Sequence, residues 1–387
     1  MTSQGPLKGV RILDLTAMVM GPYATQIMAD MGAEVIKIEP PAGDPTRDIS
    51  VGPEPRMGGV FVNVNRGKQS VVLDLKSEEG RASLRALIAT SDIFIHSQRA
   101  KAIAKLGFDY EAVKAINPRI IYTSCYGYGH RGPYKDLTAY DDTIQAECGL
   151  PAVQEMLTGE ATYVGTIMAD KVAGMTALYA TMMALYHRER TGEGQQVEVS
   201  MFETMAAFML VEHANGAMFH PPLGTAHYPR AVAPNRKPYR TKDGHIAVLI
   251  YNDKQWNAFV DAVQPEWAKD EKFSTLAKRA KHVDEIYANL GQTLATRTTA
   301  EWMELMRALD VPSGPINAPA DLFNDPHLQA VGFFETVETP MGPVTFPGVP
   351  TWFSQTPGKV AGGAPRLGQD TETVLSSLNI KGASAVA

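Results

Sequence analysis

The sequence predicts an α/β chain: a large domain built on a Rossmann-like open parallel sheet, with a second, smaller α+β unit. Three observations predict it. Strand and helix signals alternate through about the first 130 residues, joined by short connections, which is the pattern of a parallel sheet with helices on its faces. A long apolar helix and a further strand fill Val164 to Glu203. Between Met218 and Pro238 the composition turns rich in Pro, and a different order of elements follows.

In chain order, Val10 to Leu15 reads as a buried strand. Gly21-Pro22 opens a helix running through Met31, with Pro in its first turn and Gly32 at its end. Strands follow at Glu34 to Ile38, Ser70 to Leu75, Asp92 to Ile95 and Arg119 to Ser124, with helices at Glu78 to Ala89 and Glu111 to Ile116. Pro40 to Arg66 and Gly127 to Leu137 read as irregular loops, the second leading to Tyr140-Asp141-Asp142. Past the Pro-rich stretch, Lys242-Asp243-Gly244 is a tight turn before a strand from His245 to Tyr251. Amphipathic helices come next, one opening on the capping box Thr298 to Glu301. From Phe333 the chain is strand-like and Pro/Gly-rich, and it finishes with a helix from Thr371 to Leu378.

The central helix carries Val172, Met175, Leu178, Tyr179, Met182, Leu185 and Tyr186 at the helical period. It is apolar nearly all round, which predicts burial. Positive charge at His187, Arg188 and Arg190 and the glycines 192 and 194 mark its end. A buried strand, Gln196 to Met201, follows. Asp170 stands at or just before its first turn, and two readings fit. As an N-cap it accepts a bond from a free backbone N–H. Alternatively, the same N–H groups and the helix dipole keep it ionised in a dry pocket, where it serves as a nucleophile.

The totals exclude several classes. A hydrophobic content of 44% and a charged content of 20% describe a globular chain long enough for two cores. The net charge of -6 gives no pull toward nucleic acid or acidic membranes. Cys125 and Cys148 have no metal-like spacing, and no run of apolar residues is long enough for a signal peptide or a membrane span. A cytoplasmic location follows. The loop Thr16 to Gly21 has one glycine where a dinucleotide fingerprint needs three, although Glu39 imitates its acidic residue. Neither a Walker lysine loop nor a paired-histidine zinc motif occurs. Arg66, Lys68, Lys76, Arg99, Lys101 and Lys105 lie near sheet ends; they read either as solvated surface or as a phosphate site.

Six runs, in order, carry a family resemblance. They are RILDLTAMVMGPYATQIMADMGAEVIKIEPPAGDPTR, NRGKQSVVLDLKSEEG, INPRIIY, AD with the helix and HRERTGEGQQVEVSMFE, VPSGPINAPADLFNDPHLQAVGFF, and APRLGQDT. Across nearly its whole length the chain resembles the family III CoA-transferases, a superfamily that includes formyl-CoA transferase, carnitine CoA-transferase and alpha-methylacyl-CoA racemase. The resemblance implies a large Rossmann-like domain from residues 1–217 and 321–387, a linker at 218–239 and an inserted small α+β domain at 240–320. It also implies a homodimer of two interlocked rings.

The resemblance makes Asp170 the catalytic aspartate. It implies transfer of CoA from an acyl-CoA donor to a free carboxylic acid through anhydride and aspartyl-CoA thioester intermediates, with CoA as substrate and no tightly bound cofactor or metal. By the same match, Val19 and Met20 contact the nucleotide part of CoA through their backbone. Leu73 to Lys76 lie near adenine and the phosphates, and Ser97, Gln98, Arg99 and Lys105 stand in segments around the ribose-phosphate. Tyr140 lines the pantetheine tunnel. The chain departs from the pattern at Ser97-Gln98 and at Pro40. It also shows no counterpart near Ala231 to Tyr239 of the glycine-rich loop of formyl-CoA transferase, which argues against oxalate. The alternatives are a racemase and a thioester hydrolase. A racemase needs a histidine where Tyr140 stands, and tyrosine, with a pKa of about 10, is a weak base at neutral pH.

Overall fold

The structure is a computed structural model describing Gly5 to Leu378. It divides into two compact units. The larger takes the chain up to Cys148, then Gly165–Phe208 and the part from Pro326 onward; the smaller takes Gly149–Val164 and Met209–Asp325.

The larger unit opens with β1 (Arg11–Leu15), α1 (Met20–Asp30), β2 (Glu34–Glu39), α2 (Gly59–Val64) and β3 (Gln69–Val72). It continues with α3 (Glu78–Ala89), β4 (Ile93–His96), α4 (Ala100–Lys105), α5 (Tyr110–Ile116) and β5 (Ile121–Tyr126). After α6 (Asp141–Glu147), and α7 (Leu150–Thr158) of the smaller unit, come α8 (Met168–Thr191), β6 (Gln196–Ser200) and α9 (Met201–His213). Strands β1 to β6 form one parallel sheet in the order β3-β2-β1-β4-β5-β6. This is the doubly wound order, in which the direction of winding reverses between β1 and β4.

Strands covered on both faces are near-continuous apolar runs, as RILDL and IFIH are here. On one face Leu13, Ile36, Val71, Phe94 and Tyr122 form a core with Leu84 and Leu87 of α3 and Val113 of α5. On the other side α8 packs against α1, and Thr181 meets Thr123 of β5 through their hydroxyls at 2.8 Å.

The smaller unit holds β7 (Tyr239–Arg240), β8 (His245–Val248), the helices α10 (Asp253–Val263), α11 (Leu276–Lys281), α12 (Val283–Leu294) and α13 (Thr299–Ala308), and β9 (Ser313–Pro315). Its core gathers Trp256, Phe259, Leu290, Trp302 and Met306. The stretch read as a linker, 218–239, is tied into this unit: Ala233 is buried in that core, and Asn235 N–H donates to Asp284 at 2.8 Å.

The chain then returns to the larger unit with α14 (Pro326–Ala330), the hairpin β10 (Phe334–Thr339) and β11 (Gly342–Pro347), and α15 (Thr371–Ser377). Asp370 Oδ2 accepts from Ser70 N–H at 2.8 Å and Thr371 Oγ1 from Val72 N–H at 3.0 Å. The returning segment thereby satisfies the open edge of β3.

Two expectations change. Pro40 to Arg66 is not wholly irregular: Asp44 caps a 3-10 turn at Pro45–Arg47, and α2 follows. Nor is α8 buried all round. Its buried face is made of small residues, Ala169, Ala173, Gly174, Ala177, Thr181 and Ala184, with Leu185 and Arg188 toward the C-terminal end. Small side chains let the backbone approach α1 closely. Of the large residues that carry the period, Met175, Tyr179 and Tyr186 are exposed, as is Met183, while Val172, Leu178 and Met182 are half-buried.

Candidate active site

The site is built on the loop between β1 and α1. Thr16 N–H and Oγ1 donate to Asp14 Oδ1 at 2.9 and 2.5 Å, Lys37 Nζ donates to Thr16 O at 2.9 Å, and Met18 N–H donates to Asp44 Oδ1 at 3.4 Å. Met18 is left-handed with φ 66°, which costs a non-glycine residue and so needs such tethers. Across the switch between β1 and β4, Ala17 N–H donates to Ser97 Oγ at 3.1 Å. The β4 loop is pinned in turn, since Gln98 N–H donates to His96 Nδ1 at 3.2 Å and His96 Nε2 meets Ser124 Oγ at 3.1 Å. Burial pushes His96 down to about 4, so its ring is neutral at pH 7.

Asp170 is the third residue of α8 and not its cap. The cap position is Ile167, which offers no side-chain bond. The capping work falls to Asp141, whose Oδ1 accepts from Asp170 N–H at 3.1 Å. Asp141 is buried, and its Oδ2 accepts from Gln145 Nε2 at 2.5 Å. The half-buried Asp170 carboxylate lies by the start of α1, where the Met20 backbone N–H, an orphan donor, favours its charged form. Gly174, one turn on, permits this approach: a Cβ there would lie 2.6 Å from Met20 O.

Burial first, and the Asp141 charge second, raise the Asp170 carboxyl from its ordinary 3.8 to about 6, against the pull of the Met20 N–H. The dipole and free N–H groups therefore do not hold its pKa at the ordinary value. At pH 7 the group is still about nine-tenths ionised, and its basicity is higher than that of a free aspartate.

The other residues singled out in the sequence lie as follows. Val19 and Met20 are buried beside Asp170, at the start of α1. Ser97 and Gln98 are half-buried, and Arg99 is exposed and donates to Thr138 Oγ1 at 2.6 Å. Leu73 is buried just past β3, with its N–H on Glu39 O at 2.9 Å; Lys76 beyond it and Lys105 at the end of α4 are exposed. Tyr140 is 61% exposed and caps α6, directly before Asp141.

Two basic residues are removed from the possible phosphate set. Arg66 is buried on Asp30 at 2.7 Å and Lys68 on Asp14 at 2.9 Å. Glu39, which imitated a ribose-binding acid, is buried on Arg47 at 2.7 Å. Sequence reasoning missed Asp141, Gln145, Lys37 and Asp14 as parts of the site. For Lys37 and Asp14 the signal was present: a charge in the middle of EVIKIE or RILDL must be paired where it is buried. Among the described residues no group of three or more His, Cys, Asp or Glu is placed to hold a metal ion, and no helix is long and apolar enough to cross a membrane.

A half-buried carboxylate beside the carboxyl edge of an open doubly wound sheet, at its topological switch point, stands where α/β proteins of this class bind their ligands. The family model described as CoA-transferase family III matches residues 7–371. The chain is 34% identical over 394 residues to the succinate–glutarate CoA-transferase of Agrobacterium fabrum, covering 96% of each chain. It is 35% identical over 340 residues to the acetyl-CoA:oxalate CoA-transferase of Acetobacter aceti, covering 84% of this chain and 85% of that one. Among solved structures, a CAIB/BAIF family protein from Brucella suis superposes with a TM-score of 0.78 at 32% identity, over 97% of this chain and 99% of that one. The chain belongs to CoA-transferase family III. Its reaction is transfer of coenzyme A between an acyl-CoA thioester and a carboxylic acid.

Proposed function

We propose that Asp170 is the nucleophile of this transfer. The observation that carries the reading is its half-buried carboxylate beside the start of α1, where the Met20 N–H favours the charge, so that the group is still ionised at neutral pH. One Asp170 oxygen attacks the thioester carbonyl of the donor, giving a mixed anhydride and CoA thiolate. The thiolate attacks the aspartyl carbonyl, releasing the donor acid and leaving an aspartyl-CoA thioester. The acceptor carboxylate displaces CoA through a second anhydride, and the thiolate then takes the acceptor acyl group, which restores Asp170. Each step exchanges one activated acyl bond for another, so no external energy source enters. The protein supplies placement, backbone donors for the carbonyl oxygens, and exclusion of water from the anhydrides.

Coenzyme A is bound in this reading by the backbone at Val19 and Met20, by Leu73 and Lys76, by the Ser97-Gln98-Arg99 loop and Lys105, and along Tyr140. It is a substrate, and no tightly bound cofactor takes part. The acceptor is a short dicarboxylic acid. Support comes from the names of the relatives, which join succinate with glutarate and acetyl-CoA with oxalate. The assembly is an interlocked homodimer in the cytoplasm. The outward stripe of α8, with Tyr179 at 52% and Met183 at 65% exposure, supports a covering partner, because large apolar side chains in a row mark an interface.

A panel of acyl-CoA donors against mono- and dicarboxylic acids, read by mass spectrometry of the CoA products, tests the reading. Acyl exchange with dicarboxylates, abolished by Asp170→Ala, is the expected result. Exchange retained in Asp170→Ala overturns it.

A further inference from the structure

Beneath the loop that presents Met20 lies a group of buried charges that the reaction itself does not use. Asp14, Lys37 and Lys68 are fully or almost fully buried, and Asp44 is 3% exposed. Lys68 spends its three donors on Asp14 Oδ2 at 2.9 Å, Asn65 Oδ1 at 2.8 Å and Pro22 O at 3.0 Å. Lys37 bonds Asp44 Oδ2 at 2.9 Å and Thr16 O at 2.9 Å. Asp14 accepts from Thr16 N–H, Thr16 Oγ1 and, at 2.6 Å, Thr25 Oγ1. Asp44 accepts from Thr46 N–H at 2.9 Å and from Met18 N–H at 3.4 Å.

Replacing such charges with apolar residues of like volume is often neutral or stabilising, so stability alone does not account for their presence. Their bonds, however, converge on one short segment. The Thr16 N–H, hydroxyl and carbonyl, the Met18 N–H and the Pro22 carbonyl are all taken by the network, on both sides of Met20. Gly21 fits the same purpose: a Cβ there would lie 2.3 Å from Thr16 Cγ2, so loop and helix start are pressed together.

We propose that Asp14, Lys37, Asp44 and Lys68 form a positioning unit that, through Thr16 and the left-handed Met18, holds the start of α1 and its Met20 N–H in place beside Asp170 and the first turns of α8. The proposal rests on Asp170 being the nucleophile. None of the four charges touches the reacting atoms. They hold the loop in a conformation it would otherwise leave, so the amide is in place before the anhydride forms. A misplacement of about 1 Å at such a donor costs up to about a hundredfold in rate.

Thr16→Val removes only the hydroxyl bond to Asp14, and Thr16→Ser keeps it. Asp44→Asn puts an amide where Lys37 needs an oxygen, which loosens the Lys37 hold on Thr16 O. For folded Thr16→Val and Asp44→Asn, with circular dichroism matching the parent, kcat falls about tenfold or more. The acid limb of the kcat–pH profile moves up, because the displaced amide no longer favours the ionised carboxylate. Thr16→Ser keeps the parent kcat and pH profile. If Asp44→Asn does not fold, the two Thr16 variants decide. Folded variants with unchanged kcat and acid limb, or a Thr16→Ser as impaired as Thr16→Val, overturn the proposal. Asp170→Ala run alongside separates the two claims: full activity there contradicts the nucleophile itself, whereas inactivity there with unaffected loop variants contradicts only the positioning unit.

Discussion

The Asp141 carboxylate accepts the backbone N–H of Asp170 at 3.1 Å, so a buried acid holds the turn that carries a half-buried one. The same contact places a negative charge beside Asp170, the second cause of its raised pKa. Bond and charge can be separated. Asp141→Asn keeps an oxygen that accepts the N–H and removes the charge. In the turns next to Asp170, α6 carries Asp141 and Asp142 and α8 carries Lys171, whose Nζ bonds Thr166 Oγ1, while α1 presents the phenol of Tyr23; Glu147, Asp30, Arg188, Glu189 and Arg190 stand at the far ends of these helices. Of these, Asp141 is the one whose charge raises the Asp170 pKa. Activity requires the carboxylate, so kcat of the parent falls as pH drops through about 6. In Asp141→Asn the acid limb moves below 6, toward the ordinary 3.8. A kcat–pH profile checks this, and an unmoved limb would show that Asp141 acts only as a cap.

A raised carboxylate pKa is a cost to folding. The charged form is less stable in the folded chain than in the unfolded one, so the penalty is present in full above about pH 6 and fades as pH falls toward 3.8. Asp170→Asn removes it. With allowance for partial exposure, the variant is expected to be more stable at pH 7.5 by roughly 1–2 kcal/mol, with no gain below about pH 4. Urea denaturation at the two pH values measures the difference.

Gly174 is the close-approach point of α8 on α1. Alanine would gain about 0.5–1 kcal/mol of helix propensity. Its Cβ, however, would lie 2.6 Å from Met20 O and 3.2 Å from Tyr23 Cδ1, and the first of these is backbone that cannot swing aside. Overpacking of this kind costs about 1–3 kcal/mol, which exceeds the gain. Gly174→Ala is therefore expected to lose stability and, because the contact is with Met20, to lose kcat as well. Denaturation midpoints and steady-state kinetics on the same preparation check both.

Much of the fold was legible because parallel strands and their crossover helices leave short-range signals. The strands β1, β2, β4 and β5 and the helices α1, α3, α5 and α8 lie close to where periodicity, Pro22 and Gly32 put them. Longer-range facts were not. The burial of α8 could not be read from hydropathy, since its inward face is made mostly of small residues and Met175, Tyr179, Met183 and Tyr186 point outward. Lys68 and Arg66 looked like surface charge because their partners, Asp14 and Asp30, are 54 and 36 residues away. The role of Asp141 depends on α6 meeting the first turn of α8, a tertiary contact with no local signature.

The most direct test follows one oxygen atom. If Asp170 carries the acyl group, it loses a carboxylate oxygen to the departing donor acid and regains one from the acceptor. A single turnover with an acceptor acid labelled with oxygen-18 in its carboxylate, followed by proteolysis and mass spectrometry, should find one oxygen-18 in the peptide and at the residue of Asp170. Turnover with no label at Asp170, or with the label at another side chain, would contradict the account.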